Sequence, residues 1–322
     1  MSAHTRPLRL ADLPLLALAG RAPYVNHAAT LEHGAASGRA RPGWPRLLRN
    51  SMQPGGREAW ISREGLSLRG LAAVRPRGGA SAWEIDALVL GLSSEAFVMD
   101  LLERCVATAG ARGAHRLFLR LAEGSPVLTA ARREGFAAAG VETLLARGAG
   151  RYGDGYAAPP AATAWRRRGR ADDHELFRLF SSSVSHDVRW QIALTPREWR
   201  ASLDPLGRRG REWVWTGGDE PALLRVGRGA SVARATLLCE DRREPAEAAI
   251  ALLRRFDREA GRRTAVELLL PGHLTRVADV FREHGFHDAA RFELSVRPIA
   301  QRTQRLQLAE RSLEGTVWPA VQ

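Results

Sequence analysis

The sequence predicts an α+β fold that is written twice, as two tandem domains that each have a mixed, mostly antiparallel sheet flanked by helices. The main observation is a repeat about 150 residues apart, since "AARREGF" (130–136) returns as "DVFREHGF" (279–286). "LLERCVATAG" (101–110) also matches "LLRRFDREAG" (252–261) at five of ten positions. The length of 322 residues exceeds what one hydrophobic core usually serves. We therefore expect a first domain at 1–147, a Gly-, Pro- and Ala-rich linker at 148–162, a second domain at 163–298 and a tail at 299–322.

The elements of the first copy follow from hydrophobic periodicity. A short helix is expected from Asp12, then a hairpin that turns at Glu64 and Gly65. In the run "SAWEIDALVLG", apolar residues occupy positions that would lie on both faces of a strand, which predicts a strand buried on both faces. A helix from Ser94 to a C-cap at Gly110 follows. The strand "HRLFLRL", a short helix that ends at Gly135 and the strand "VETLLAR" complete the unit.

The second copy repeats this order. A helix is expected at "HELFRLFSSSV", followed by the strands "EWVWTG", "PALLRVG" and "SVARATLLC". A helix at 245–260, the strand "AVELLL", a helix at 274–284 and the strand "RFELSV" close the unit. The run "SSSVSHDVRW" (181–190) is interpreted as a helix end and a substrate-side loop, because a Ser-His-Asp triad needs a sharp nucleophile turn that is missing here.

Composition narrows the class of protein. Hydrophobic residues make up 45% and charged residues 26%, which is typical of a globular domain. The chain has no apolar run of membrane-spanning length, so we expect a cytoplasmic protein without a membrane partner. A net charge of +13 invites a nucleic-acid interpretation, but all 48 basic residues are arginines and they are dispersed. Only "WRRRGR" (165–170) is a cluster, and we interpret it as a solvated strand edge, so a nucleic-acid partner is not expected.

The cysteines and histidines give no sign of a metal site. Cys105 and Cys239 lie inside apolar runs without metal-ligand spacing, which predicts buried thiols. His284 and His287 are three residues apart across a helix end, so they do not share one helical face. No metal is expected.

The order of elements resembles the GNAT acyltransferase fold, written twice over residues 5–147 and 163–298. The resemblance is carried by "WEIDALVL" leading into a long helix and by the later helix that closes on Glu-x-Gly-Phe. It implies that acetyl-CoA lies between the fourth and fifth strands of a unit, with the fourth strand paired to the pantetheine arm. It also implies that an amine attacks the thioester, that a carboxylate on the fourth strand acts as base and that a tyrosine in the last helix protonates the leaving thiolate.

These implied roles assign candidate residues by position. The candidate bases are Glu84 and Asp86, two apart on the fourth strand of the first copy. The candidate cofactor-binding residues are Leu88, Val89, Leu90, Ser93, Ser94, Leu237, Leu238, Cys239, Arg242 and Arg243. The position of the acid tyrosine is Ala131 in the first copy and Phe281 in the second.

The phosphate-binding turn departs from the family pattern in both copies. Backbone N–H groups can surround a phosphate only where side chains do not intrude, so this turn is expected to be glycine-rich. The first copy has Ser93 and Ser94 there, which also suit a helix cap. The second copy has Glu244 and Glu247, which repel a diphosphate, while Arg242 and Arg243 compensate in part.

Two functions remain open from the sequence. The first is acetyl transfer from acetyl-CoA to an unidentified small-molecule or peptide amine. The second is a catalytically degenerate GNAT-like protein that binds a ligand or a partner without turnover. The sequence leaves the oligomeric state open.

Overall fold

The computed structural model describes residues 4–12, 14, 16, 24–31, 56–65, 67–91, 95–149, 164–207, 210–229, 232–259 and 265–299. The described residues contribute thirteen strands to one continuous sheet. Nearly all of the predicted linker and tail lie outside the described residues, so the predicted domain boundaries stay a prediction.

The described residues of the first half form seven strands and two long or well-defined α-helices, besides a helical stretch at residues 10–16 that is only partly described. They are β1 (His4–Pro7), β2 (Val25–Asn26), β3 (Glu58–Glu64), β4 (Ser67–Gly79), β5 (Ala82–Leu90), α1 (Glu95–Ala111), β6 (Arg116–Ala122), α2 (Val127–Arg133) and β7 (Ala137–Arg147). The predicted hairpin is confirmed, because Gly65 takes a positive φ of 59° between β3 and β4. The predicted C-cap at Gly110 is wrong: α1 continues to Ala111, and Gly113 is the glycine with a positive φ that ends the segment.

In the second half, the residues that the structure describes form six strands and five α-helices. They are β8 (Trp165–Arg167), α3 (Asp173–Ser183), α4 (His186–Ile192), α5 (Pro196–Ser202), β9 (Arg211–Trp215), β10 (Ala222–Arg228), β11 (Val232–Leu238), α6 (Arg243–Glu259), β12 (Ala265–Pro271), α7 (Thr275–Glu283) and β13 (His287–Pro298). The helix end predicted within 181–190 is confirmed, because α3 ends at Ser183, but the loop predicted after it is wrong, because His186–Ile192 forms α4. Ser185 caps α4 and Thr195 caps α5, each by accepting a hydrogen bond from a backbone N–H three residues later.

The closing strands of the two halves are exchanged. The sheet order is β1-β3-β4-β5-β6-β13-β7-β12-β11-β10-β9-β8, with β2 beside β5. The closing strand β13 of the second half pairs with β6 of the first, and the closing strand β7 of the first half pairs with β12 of the second. The two closing strands also pair with each other. Each half therefore completes its sheet with a strand from the other half.

The sheet is mixed in the predicted way. The pairs β5–β6 and β11–β12 are parallel, and the other strand pairs of the described residues are antiparallel. Every residue of β5 is buried, as its continuous apolar pattern predicts. The α+β class with two tandem units of mixed, mostly antiparallel sheet is confirmed.

Helices cover both faces of the sheet. The helices α1 and α2 bury Leu101, Leu102 and Cys105 against the first half, and α6 and α7 build the matching core of the second half. On the opposite face, α5 packs Ala201 against Ala82 and Phe118 of the first half. The helices α4 and α5 of the second half therefore reach across the middle of the sheet, with Ile192 and Ala201 in contact with the first half.

The approach of α5 to β4 is very close. A Cβ atom at Gly78 of β4 would clash with the carbonyl oxygen of Arg200, and it would lie 3.0 Å from that of Ala201. Glycine is required here by space, because the φ of Gly78 lies outside the left-handed region.

Candidate functional site

Each half contains a point where two parallel strands separate. In the first half, β5 and β6 pair from Ala82–Arg116 to Glu84–Phe118 and then diverge. In the second half, β11 and β12 pair from Val232–Ala265 to Thr236–Leu269. The two openings occupy equivalent places in the two units.

The opening of the first half is filled by the chain's own segment 25–29. The backbone N–H of His27 donates to the carbonyl oxygen of Leu88 at 2.8 Å, and Asn26 Oδ1 accepts from the N–H of Leu88 at 2.9 Å. On the other side, the N–H of Ala29 donates to the carbonyl oxygen of Arg120 at 2.9 Å. The segment therefore joins β5 to β6 like an additional strand.

This arrangement bears directly on the predicted cofactor residues of the first half. Both backbone groups of Leu88 are already paired within the protein, and β2 also pairs with Val89 and Leu90. A pantetheine arm could reach β5 only if residues 25–29 moved away. Ser93 and Ser94 lie outside the described residues.

The two candidate bases lie in a buried ion-pair network. Glu84 Oε1 accepts from Nε of Arg75 at 2.7 Å, and Asp86 Oδ1 lies 3.0 Å from Arg57. The side chains of Glu84 and Asp86 are 5% and 0% exposed. A carboxylate held in this way cannot take a proton from a substrate amine without leaving its arginine, so the geometry favours a structural role.

The network continues from the first half into the second through Asp204. Asp204 lies 2.8 Å from Arg77 and 3.0 Å from Arg120, which both belong to the first half. Burial alone raises the pKa of Asp204, but the charges of Arg120 and Arg77 outweigh it and lower the pKa well below its ordinary value. Asp204 is therefore a charged, buried connection between the halves.

The opening of the second half leads into a cavity of about 480 Å³. Thr236, Leu237 and Leu238 line it from the β11 side, and Leu269 and Pro271 line it from the β12 side. Phe180, Val184, Val188 and Ile192 close it from α3 and α4. The predicted residues Leu237 and Leu238 therefore border an open space, while Cys239 is buried in the adjoining core.

His273 lies at the edge of this cavity, directly after β12. Partial burial lowers its pKa below the ordinary value, although the charge of Asp241 opposes the shift. The imidazole is therefore neutral at pH 7 and able to accept a proton. His273 is not among the residues predicted from the sequence. Its one sequence signal is its position, shortly after the strand that borders the opening.

The predicted phosphate turn of the second half is held by ion pairs. Arg242 pairs with Glu240 at 2.8 Å, and Arg243 pairs with Glu247 and Glu283 at 2.7 and 2.6 Å. The arginines border a second cavity of about 530 Å³ between the start of α6 and α7.

The side chain of Asp241 is also engaged at this turn. It accepts hydrogen bonds from the backbone N–H groups of Arg276 and Val277 and thereby caps α7.

Phe281, at the predicted acid position of the second copy, lies in the core of the second half. Its ring is fully buried on α7 and meets Phe286 edge-on, with 5.1 Å between the ring centroids. Ala131, its counterpart on α2, is buried in the core of the first half. Neither side chain carries a group that could protonate a thiolate, so the assignment of the acid position to these two residues stays a prediction.

Comparison with known proteins identifies the fold. No protein-family model matches the sequence, and neither does any curated protein sequence. The structure is similar to a GCN5-related N-acetyltransferase from Sphaerobacter thermophilus, with a TM-score of 0.57 at 15% identity over 92% of this chain and 96% of that one. It is also similar to a tandem GNAT protein from the clavulanic acid biosynthesis pathway, with a TM-score of 0.53 at 15% identity over 94% of this chain and 100% of that one.

The chain has the tandem GNAT fold, as its sequence resemblance implies. In the part of the chain that the structure describes, no helix is long and apolar enough to cross a bilayer. The described residues also bring together no group of three or more His, Cys, Asp or Glu side chains that could hold a metal ion.

Proposed function

We propose that the protein is a GNAT-type acyltransferase in which the second half alone takes acetyl-CoA, with a small-molecule or peptide amine as acceptor. The supporting observation is the contrast between the two openings. Residues 25–29 fill the first, whereas Thr236 and Leu238 border a cavity in the second. The first half then serves as a scaffold that supplies β7 to the sheet beside the site.

The second opening fits a pantetheine arm. The arm is a slender chain with amide groups, and it needs free strand backbone beside apolar walls. The strands stop pairing after Thr236 and Leu269, and the cavity walls beyond that point are mostly apolar. In this proposal Leu237 and Leu238 hold the arm, and the bound acetyl-CoA supplies an activated acyl group.

The turn at Arg242 and Arg243 fits the phosphate end of acetyl-CoA less closely. Arg242 and Arg243 are exposed, so their guanidinium groups can turn from Glu240 and Glu283 towards a diphosphate. Glu244 borders the same cavity and opposes an anion. We therefore expect acetyl-CoA to be held mainly through the pantetheine arm.

In this proposal His273 accepts the proton that the acceptor amine loses. It is a neutral base at the edge of the cavity, whereas Glu142, which lines the same cavity, is bound to Arg120 at 2.5 Å. The candidate base thus moves from Glu84 in the first half to His273 in the second.

Isothermal titration calorimetry of the full chain with acetyl-CoA tests the binding part of the proposal. We expect one site per chain. Thr236→Phe fills the fork of the opening and should weaken binding by about tenfold or more. Thr216→Phe is the matched control, because Thr216 is an exposed residue at the end of β9 away from the cavity, and it should bind as the wild type does. Two sites per chain, or equal binding by both variants, would contradict the proposal.

Turnover is tested separately, by following release of the CoA thiol with a panel of amines. His273→Gln should lower kcat in the wild type's active pH range while leaving acetyl-CoA binding within about twofold, since a base contributes to proton transfer more than to affinity. Binding without thiol release from any amine would leave the chain as a binding module, the second function that the sequence allows.

A further inference from the structure

A third cavity, of about 590 Å³, lies in the second half towards the end of the sheet where β9 begins. It is formed by the turn after β8, the start of α3 and the loop between α5 and β9. Among the described residues, six arginines line it: Arg167, Arg168, Arg170, Arg200, Arg211 and Arg225. We call it the arginine cavity. It contains most of the "WRRRGR" cluster, which the proposed acyl transfer does not use.

The carboxylates of the arginine cavity are already shared among arginines. Asp173 lies 2.6 Å from Arg168 and 3.1 Å from Arg200. Glu212 lies 2.7 Å from Arg168 and 2.7 Å from Arg225. These contacts hold the guanidinium groups of Arg168 and Arg225 in fixed positions on the floor of the cavity.

The third carboxylate, Asp204, is held by Arg77 and Arg120 from the first half. Six arginines therefore stand against three carboxylates, and one of the three is neutralised from outside the cavity. The lining carries an excess of positive charge.

The excess charge lies on three exposed arginines at the rim. Arg167, Arg170 and Arg211 are exposed, and the described residues place no carboxylate within ion-pair distance of them. The guanidinium of Arg167 lies over the ring of Trp213, 4.6 Å from its centroid, which fixes its plane. Like charges that converge on one recess repel each other, and a bound anion removes that repulsion.

We propose that the arginine cavity binds a small ligand with two or more phosphate groups. A planar guanidinium group can donate two hydrogen bonds to one phosphate. Several guanidinium groups around one recess therefore suit a ligand with neighbouring phosphates better than a ligand with a single carboxylate. The volume is that of a small-molecule site. A nucleic acid fits less well, because the aromatic ring nearest the rim, Trp213, is buried under Arg167 and offers no face to a base.

Calorimetry of the full chain with inorganic triphosphate tests the proposal. We expect binding that weakens as salt is raised, because ion pairs with phosphate are screened. The double variant Arg170→Gln/Arg211→Gln should weaken it by about tenfold or more, since it removes two charge-assisted contacts. The control is Arg197→Gln, which removes an exposed arginine of α5 outside the cavity and should change the affinity by less than about twofold. Thermal unfolding confirms that each variant is folded.

Two further titrations identify the source of the phosphate groups. Acetyl-CoA also carries phosphates, so the two sites must be separated: Thr236→Phe should weaken acetyl-CoA binding by about tenfold or more while triphosphate binding persists. If Thr236→Phe weakens both to the same extent, the arginine cavity is not an independent site. Equal loss in Arg197→Gln would show diffuse attraction to net charge, and absence of triphosphate binding would also overturn the proposal. Duplex DNA that binds more tightly than triphosphate and depends on Arg170 and Arg211 would show that the ligand class is wrong.

Discussion

Asp204→Asn should destabilise the whole fold, because it removes the negative charge that connects the two halves. The carboxylate is buried and accepts hydrogen bonds from both terminal nitrogens of Arg120, at 3.0 and 3.1 Å, and it pairs with Arg77 at 2.8 Å. Asparagine has nearly the same shape, so the loss is electrostatic and leaves no cavity. Arg120 keeps Glu142, and Arg77 keeps a 3.6 Å contact with Glu84 and its position over the ring of Phe118.

The size of the stability loss depends on the ion pairs that the two arginines retain. Breaking a buried ion pair by removing one partner costs about 3–5 kcal/mol, because the other charge stays buried. Since Arg120 retains Glu142, we expect the lower end, about 3 kcal/mol. At roughly 2.1 cal/mol/K per residue, the unfolding entropy of a chain of 322 residues is about 0.7 kcal/mol/K, so the melting temperature should fall by roughly 4–5 °C.

Thermal and urea unfolding of the purified variant measure the effect. The matched control is Asp279→Asn, which breaks a 2.6 Å pair with Arg282 in which the carboxylate is 66% exposed. An exposed pair of this kind contributes less than about 1 kcal/mol. If the two variants lose the same stability, the buried network is not what joins the halves. If Asp204→Asn unfolds in two separate transitions, the halves have become independent, and the change in urea slope would report it.

Three further predictions follow from the same structure. The pKa of Asp204 is lowered in the fold, so its contribution to the free energy of unfolding is complete above its unfolded pKa of about 3.9 and is lost as the pH falls further. The loss of stability with falling pH, followed by circular dichroism, should therefore be shallower in Asp204→Asn. An unchanged profile would contradict this. Gly78→Ala should cost about 1–3 kcal/mol, because its Cβ would push α5 away from β4, whereas Gly148→Ala meets no neighbour within 4 Å and should be nearly neutral in the same unfolding assay. Asn26→Ala removes the acceptor of the Leu88 N–H, so exchange of that amide measured by NMR should be faster while the amide of Leu101 in α1 stays protected.

The local elements were largely predictable because their signals are local. The continuous apolar run of β5 and the turn at Gly65 both appear in the structure where the pattern places them. The segment of α4 was interpreted as a loop, and α5 was not predicted, although the signal for α5 is equally local. Thr195 followed by Pro196 and Glu198 is the pattern of a helix start, with a cap, a proline in the first turn and an acidic residue three positions on.

The exchange of β7 and β13 could not be predicted from hydrophobic pattern. Both strands follow a helix that closes on Gly-Phe, and both are suited to lie beside either β6 or β12. Which strand is the partner depends on the packing of the entire sheet, and a repeated sequence gives two nearly equivalent answers.

The residues of the candidate site were also only partly predictable from the sequence. Leu237 and Leu238 lie beside an opening because the parallel pairing of β11 and β12 ends at Thr236, which the strand order already implies. Glu84 became a candidate base because the family resemblance implies a carboxylate on the fourth strand. A regular count back from the turn at Gly79 and Ala82 places Arg77 opposite Glu84, whereas a register shift between Pro76 and Gly79 places Arg75 there. An arginine at either position is a readable signal of an ion pair.

The exchanged strands also determine when the protein can finish folding during its synthesis. The edge of β6 receives its neighbour only when β13 has left the ribosome, roughly 140 residues after β7 ends, which takes on the order of 10–30 s at ordinary elongation rates. During that interval the first half holds an unpaired strand edge, the kind of surface that joins other chains. A nascent chain of this protein therefore exposes the edge of β6 for longer than two independent domains of the same size would.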